Sequence, residues 1–182
     1  MKDIYIVISY TGTSISRAIK FCTKNKYTHV SIALDRELDE LYSFGRIFRY
    51  TIAPAGFVHE GIDTGTFKRF KNTDAIIFSK VVTDTQYSQI KYVIDQMEKD
   101  KNKYKFNFIG MIAARLGKKI ERANYFYCSE FVKYILNEAK VDISNLPDVA
   151  APEDFMKLDG LKLVYEGLLK DYSCEGKLKT NA

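Results

Sequence analysis

The chain is organised around residues 125–136, which read YFYCSEFVKYIL and predict an amphipathic helix that begins at Cys128. The apolar residues of this helix recur at helical spacing and would face a core: Phe131, Val132, Ile135, Leu136 and Ala139. The Cys128 sulfur would then lie in the first helical turn, where N–H groups and the positive end of the helix dipole favour an anion. This position lowers the pKa of a thiol and can stabilise an oxyanion, so Cys128 is a candidate nucleophile.

A thiol nucleophile needs a base, and the chain has two histidines, His29 and His59. His29 opens the alternating run 29–34, HVSIAL, which predicts a strand with small neighbours, Ser31 and Ala33, on the face of the histidine. The opposite, core-facing residues would be Val30, Ile32 and Leu34.

Each of these residues also has an ordinary structural interpretation. A single cysteine more often acts as a small buried hydrophobe, and a single histidine is more often a hydrogen-bonded structural residue. A Cys/His pair, however, is built from residues that are distant in sequence and meet in the fold. We therefore expect the Cys128 sulfur to lie within about 3–5 Å of a His29 ring nitrogen, with His59 elsewhere.

Composition predicts a globular protein. The chain has 182 residues, of which 46% are hydrophobic and 28% are charged. We expect a single domain over residues 1–175, followed by a disordered tail at 176–182. The apolar run 4–8 is too short for a secretory signal, and no stretch is long enough to cross a membrane. Three widely separated cysteines show neither zinc-site nor redox-pair spacing, which favours a reduced, cytoplasmic compartment: Cys22, Cys128 and Cys174.

The formal net charge of +5 permits anionic partners without requiring them. Two basic clusters are predicted to be solvated faces: Lys68, Arg69 and Lys71, and Arg115, Lys118, Lys119 and Arg122. Neither cluster is interleaved with exposed aromatic residues or belongs to a nucleic-acid-binding motif. Nucleic acid is therefore not an expected partner.

The remaining pattern predicts an α+β fold. Strands are expected at 4–9, 29–35, 40–46, 75–82 and 161–165, with the second and third forming an antiparallel hairpin. Helices are expected at 15–23, 84–99 and 106–116, and the segment 49–73 reads as rich in loops. The helix at 106–116 carries an apolar stripe that should face the core: Phe108, Ile109, Ile112 and Leu116.

Two segments resemble a known family. Residues 27–35, YTHVSIALD, and 127–132, YCSEFV, are similar to the circularly permuted NlpC-like cysteine hydrolases of the YiiX type, a branch related to lecithin:retinol acyltransferase-like proteins. The resemblance implies a permuted papain-like α+β fold in which the cysteine-bearing helix packs against an antiparallel sheet. It also implies Cys128 as the nucleophile and His29 as its base.

The third member of the catalytic set departs from the family pattern. Such families place a His or Glu on the strand after the catalytic histidine, and the matching position in this chain is Ser43. A hydroxyl can orient an imidazole but cannot stabilise an imidazolium as a carboxylate does. Ser43 is the predicted third residue, and Glu40, Glu60 and a water molecule remain alternatives.

The resemblance implies acyl transfer through a thioester on Cys128, with an amide, ester or thioester as substrate. The expected partner is a small peptide of cell-wall type or a lipid-like acyl group, and the chemistry requires no cofactor and no metal. A catalytically inactive binding or regulatory module on the same fold is the main alternative. A metal site built from His29, His59 and Cys128 is a weaker one, because the ligands lack local pairing. Glu130, two residues after Cys128, is interpreted first as an acidic residue that complements the helix N-terminus.

Overall fold

The computed structural model describes residues 1–12, 26–46 and 55–173. The predicted helix at 15–23, the tail at 176–182, Cys22 and Cys174 lie outside the described residues.

The architecture is α+β, with a six-stranded antiparallel sheet as its centre. The strands are β1 (Lys2–Tyr10), β2 (His29–Ala33), β3 (Leu41–Arg46), β4 (Ala55–Glu60), β5 (Asp74–Val82) and β8 (Leu161–Leu168). They lie in the order β4-β3-β2-β1-β5-β8. The predicted hairpin of β2 and β3 is confirmed, with Ile32 opposite Tyr42 and Ala33 opposite Leu41. A short parallel pair, β6 (Lys105–Phe106) and β7 (Tyr125–Phe126), flanks the sheet.

Within the described residues, four α-helices accompany the sheet: α1 (Gly65–Arg69), α2 (Asp84–Lys99), α3 (Phe108–Arg115) and α4 (Cys128–Glu138). Short 3-10 helices lie at Lys101–Lys103, Pro152–Lys157 and Leu169–Asp171. Helix α2 has the bounds that its sequence pattern predicts, because Thr83 and Gln86 form a reciprocal capping box at its start. No helix among the described residues is long and apolar enough to span a bilayer.

The larger core lies between one face of the sheet and helices α2 and α4. Val30, Ile32 and Leu34 of the β2 region are buried in it, as their alternation predicts. The apolar face of α4 packs there as well, with the Phe131 ring centroid 5.2 Å from that of Phe44. A smaller core covers the other face of the sheet with residues from α1 and the 3-10 helix at Leu169–Asp171. Burial on both sides fixes the register of the strands that carry the candidate site.

The predicted orientation of helix α3 is wrong. Its large apolar residues point to solvent, with exposed fractions of 40% for Phe108, 57% for Ile109, 61% for Ile112 and, just after the helix, 73% for Leu116. The side facing the protein carries Met111 and otherwise small residues, with Gly110 and Ala113 buried. Small side chains let the helix lie close to its neighbours, and the bulky stripe is left outside.

Strand β4 and helix α1 lie in the segment 49–73, which the sequence predicts to be loops. The glycines and the proline of this segment suggest turns, whereas β4 itself is a short strand containing Gly56. Its pairing with β3, which places Gly45 opposite Gly56 and Leu41 opposite Glu60, supplies the stabilisation that local propensity lacks. Strand β4 is important because it ends at Glu60.

Candidate active site

His29, Ser31 and Glu60 form a compact hydrogen-bonded cluster. His29 opens β2 and lies opposite Ser9 of β1, while Glu60 ends β4 on the far side of β3. The His29 Nε2 donates to Glu60 Oε1 over 3.2 Å, and the Ser31 hydroxyl donates to Glu60 Oε2 over 2.6 Å. The side chains of His29 and Glu60 are only 18% and 9% exposed. A buried carboxylate is thus held by two partners.

Gly45 of β3 lies beneath this cluster. A Cβ atom at Gly45 would lie 3.8 Å from the His29 Cε1 and 3.8 Å from Glu60 Oε1, at van der Waals distance. The imidazole and the carboxylate therefore meet over a strand position that carries no side chain. Any residue larger than alanine at this position would extend into the space that the two groups occupy.

The electrostatics of the pair favour its charged form. Burial alone would lower the pKa of His29, but the Glu60 charge, together with hydrogen bonds to Cys128 and Glu60, raises it to about 10. Burial would likewise raise the pKa of Glu60, and the His29 charge and hydrogen bonds from His29 and Ser31 lower it below its ordinary value. Both shifts favour an imidazolium on His29 at neutral pH, paired with an ionised Glu60.

Cys128 is the first residue of α4 and is partly buried. A hydrogen bond and a charge interaction join it to His29, and both raise the pKa of the imidazole. The structure therefore brings together the cysteine and the histidine that the sequence singles out. The thiol also lines a small cavity of about 40 Å³, together with Thr28, Met111, Ala114 and Pro152. The cavity has room for a few water-sized groups, so only a small part of a substrate would enter it.

Glu130 fixes the start of the cysteine-bearing helix. Its Oε2 accepts the N–H of Tyr127 over 3.1 Å, which is one half of a capping box. The same oxygen accepts from the Asn107 amide over 3.3 Å, and the Asn107 Oδ1 accepts the N–H of Gly110 over 2.9 Å at the start of α3. Fully buried Asn107 thus ties the N-termini of α3 and α4 together. Burial raises the pKa of Glu130 to about 7, against the lowering effect of its hydrogen bonds.

Ser43, the predicted third residue, is not the hydrogen-bond partner of His29. Its hydroxyl is fully buried and forms no hydrogen bond of normal geometry with any described residue. It lies close enough to the Glu60 carboxylate to help lower its pKa, but Glu60 holds the imidazole. Glu60 was one of the alternatives left open by the sequence. The serine is displaced from this role because Glu60 reaches the ring from β4, one strand further along the sheet.

His59 belongs to a different environment. Its Nε2 donates to the Asp39 carbonyl over 2.7 Å, its ring stacks on Tyr42 at 4.7 Å, and its Nδ1 lies 3.7 Å from Glu98. Within the described ranges, no group of three or more His, Cys, Asp or Glu side chains is placed to hold a metal ion. The set of His29, His59 and Cys128 does not converge as the metal alternative requires.

The serine neighbours of Glu60 allow a matched test. Ser31→Ala removes a hydrogen bond to a charged group and should slow alkylation of Cys128 by roughly tenfold, the effect of about 1.5 kcal/mol. Ser43→Ala removes a hydroxyl that has no hydrogen bond of normal geometry and that contributes less than Ser31 to the lowered pKa of Glu60, so it should change the rate by less than about twofold. The rates are measured with iodoacetamide and peptide mass spectrometry. A larger effect of Ser43→Ala than of Ser31→Ala would indicate that Ser43 orients the His29 imidazole.

Sequence patterns did not reveal the roles of two residues around the candidate site, Asn107 and Glu60. Asn107 precedes a helix as an ordinary N-cap, and nothing in its neighbourhood signals a bond to a residue 23 positions away. Glu60 sits in a segment that reads as loops, so its strand position is hidden. The one available signal was its acidic character after the short apolar pair Phe57 and Val58.

Comparisons with known proteins give a distant structural likeness. No family model matches the chain, and no curated protein matches it. Among solved structures, the chain is similar to the crystal structure of the metalloprotein YiiX from Escherichia coli O157:H7. The two share 14% sequence identity with a TM-score of 0.49, over 91% of this chain and 97% of that one. This similarity is too distant to assign a family, an activity or a metal to the chain.

Proposed function

We propose that the chain is a cysteine hydrolase or acyltransferase with a permuted papain-like arrangement, in which Cys128 is the nucleophile and His29 its proton carrier. The observation that supports this most strongly is the buried ion pair of His29 and Glu60, whose imidazole also bonds to Cys128 at the start of a helix. A purely structural cysteine has no need of a charged histidine partner. Glu60 takes the orienting role in this proposal, and Ser43 is a supporting neighbour.

The proposed reaction begins from a thiolate and an imidazolium. The Cys128 sulfur attacks the acyl carbon, and N–H groups in the first turn of α4 stabilise the oxyanion. The tetrahedral adduct collapses as the imidazolium gives its proton to the leaving amine, alcohol or thiol, which leaves a thioester on Cys128. His29 then takes a proton from water, or from another acceptor, as it attacks the thioester, and the acyl product departs. With Nε2 bonded to Glu60, Nδ1 is the ring nitrogen that exchanges the proton.

Amide, ester and thioester bonds all fit this chemistry, because each presents an acyl carbon and a leaving group that needs a proton. The family resemblance supports a peptide of cell-wall type or a lipid acyl group as substrate. The small cavity beside Cys128 suits the acyl side of the scissile bond, with the rest of the substrate outside. We also retain the prediction that residues 1–175 form a single domain.

Labelling tests the proposal without knowledge of the substrate. Low-dose iodoacetamide at about pH 6.5 should modify Cys128 before the other two cysteines, because a histidine-paired thiolate persists below the ordinary thiol pKa of about 8.5. Peptide mass spectrometry identifies the modified site, and Cys22 and Cys174 serve as internal references. Cys128→Ser should remove the fast phase and leave the slow labelling unchanged. Labelling of Cys128 no faster than the references would instead favour a non-catalytic binding module.

A further inference from the structure

The outer side of helix α3 is unusually apolar among the surfaces that the described residues form. Among the described residues, half of the large apolar side chains that are exposed fall between 108 and 120: Phe108, Ile109, Ile112, Leu116 and Ile120. Scattered single apolar residues are normal on a protein surface, but a contiguous apolar stripe marks an interaction site. We call these five residues the α3 face.

The charge around the α3 face is equally concentrated. The segment 101–122 contains seven Lys or Arg residues and one Glu, a net charge of +6, whereas the whole chain carries +5. The rest of the chain is therefore slightly acidic. Lys105 lies immediately before the helix and Lys118 just after it, and both are exposed. An apolar stripe bordered by excess positive charge complements a surface that is apolar inside and anionic outside.

From this complementarity we propose that the α3 face binds the surface of a membrane containing anionic lipids. The helix has eight residues and is about 12 Å long, which is too short to cross a bilayer, so it would lie along the interface. Its apolar side chains would enter the boundary between headgroups and acyl chains, while the flanking lysines contact anionic headgroups. An anionic bilayer supplies both the apolar interior and the negative charge that this face complements.

Hydrogen bonds and a shared cavity connect helix α3 to the candidate active site. Asn107 caps α3 and bonds to Glu130, which caps α4. Met111 and Ala114, on the inner side of α3, line the cavity that contains Cys128. A Cβ atom at Gly110 would collide with the Asn107 side chain, so the contact depends on this glycine. Membrane binding would therefore hold the cavity close to the lipid surface, although the binding itself does not depend on catalysis.

Vesicle flotation of the full chain tests the proposal. The protein should float with vesicles made of equal parts phosphatidylcholine and phosphatidylglycerol, and far less with phosphatidylcholine alone. High salt should reduce binding because it screens the headgroup charge. Ile109→Ser with Ile112→Ser should reduce the partition coefficient at least about tenfold. Lys105→Gln with Lys118→Gln should reduce it by about fivefold for each lysine.

Matched controls distinguish vesicle binding through the α3 face from non-specific adsorption of the protein. Val81 and Leu163 are 57% and 54% exposed on strands β5 and β8, so their double serine variant removes similar exposed apolar surface elsewhere. Lys162→Gln with Lys170→Gln is the corresponding charge control, since both lysines are exposed near the same strands. Both controls should bind vesicles as the parent chain does. Cys128→Ser should also bind normally, which distinguishes a failure of membrane binding from a failure of the proposed catalysis.

Three results would overturn the proposal. The first is a parent chain that does not float with anionic vesicles. The second is a double Ile variant that floats as well as the Val81 and Leu163 control. The third is concentration-dependent self-association, lost in the Ile variant and without vesicle binding, because a second copy of the chain would then be the partner of this face. Substitutions of exposed residues should leave the variants folded. Thermal unfolding, measured alongside flotation, checks this.

Discussion

Replacing His29 with alanine should make alkylation of Cys128 at least about tenfold slower at pH 6, and should change its pH dependence. In the proposed pair the imidazolium stabilises the thiolate, so labelling should persist well below neutral pH. Without it, the rate should rise by about tenfold per pH unit until the ordinary thiol pKa of about 8.5 is reached. Iodoacetamide rates measured across pH by mass spectrometry give both quantities.

The matched control is His59→Ala. His59 bonds to Asp39 and stacks on Tyr42, so its removal should leave the rate and the pH profile at Cys128 unchanged. An unchanged profile in His29→Ala would show that the thiol is not activated by this imidazole. Equal effects of the two alanine variants would indicate general destabilisation rather than a specific pair.

Replacing Glu60 with glutamine should lower the pKa of His29 from about 10 to its ordinary value near 6.5 or below. The amide keeps the size and the hydrogen-bonding oxygen of the carboxylate but removes the charge that offsets burial. Proton NMR titration of the two histidine rings measures this shift directly, with His59→Ala to assign the signals. Alkylation of Cys128 should slow in parallel, because a neutral imidazole no longer stabilises the thiolate.

The same substitution should change how stability depends on pH. The raised pKa of His29 stabilises the fold fully below about pH 6.5, and this contribution is lost as the pH rises toward 10. The lowered pKa of Glu60 stabilises it above about pH 4.5 and is lost on acidification. The difference between parent and Glu60→Gln in urea unfolding should therefore be greatest between about pH 4.5 and 6.5, and smaller at pH 9.

Glu40→Gln is the control for this experiment. Glu40 bonds to Lys91 over 3.2 Å, but both side chains are at least 40% exposed, so the loss of this pair should change stability little at any pH. A stability difference for Glu60→Gln that is independent of pH would contradict the charged state of the buried pair. So would a His29 pKa that remains high in the variant.

Much of the fold could be read from periodicity. The hairpin of β2 and β3, strand β5 and helix α2 all follow from alternation or from a capping signal inside the sequence of the element. Strand β4 could not be read in this way. Its glycine weakens the local signal, and pairing with β3 is what makes it a strand.

Helix α3 shows a second limit of periodicity. The spacing of its apolar residues correctly indicates a helix, but periodicity does not reveal which side of an amphipathic helix the protein covers. The protein covers the side on which Gly110 bonds to Asn107 and on which Met111 and Ala114 line the cavity of Cys128, and the bulky side is left to solvent. The basic cluster at 115–122, predicted to be an ordinary solvated face, has a further interpretation only once the exposed stripe beside it is known.

For the candidate site, the sequence by itself singled out the two residues that the structure brings together, Cys128 and His29. Cys128 lies at the start of a helix and His29 at the start of a strand, and the periodicity of the adjacent residues predicts both positions. Only the tertiary structure showed which residue holds the imidazole, because Glu60 reaches it across β3 from a position 31 residues along the chain. The ionised state of the His29–Glu60 pair also depends on the tertiary structure. A carboxylate raises the pKa of a histidine strongly only when both are withdrawn from water, and burial of that kind comes from packing rather than from local sequence.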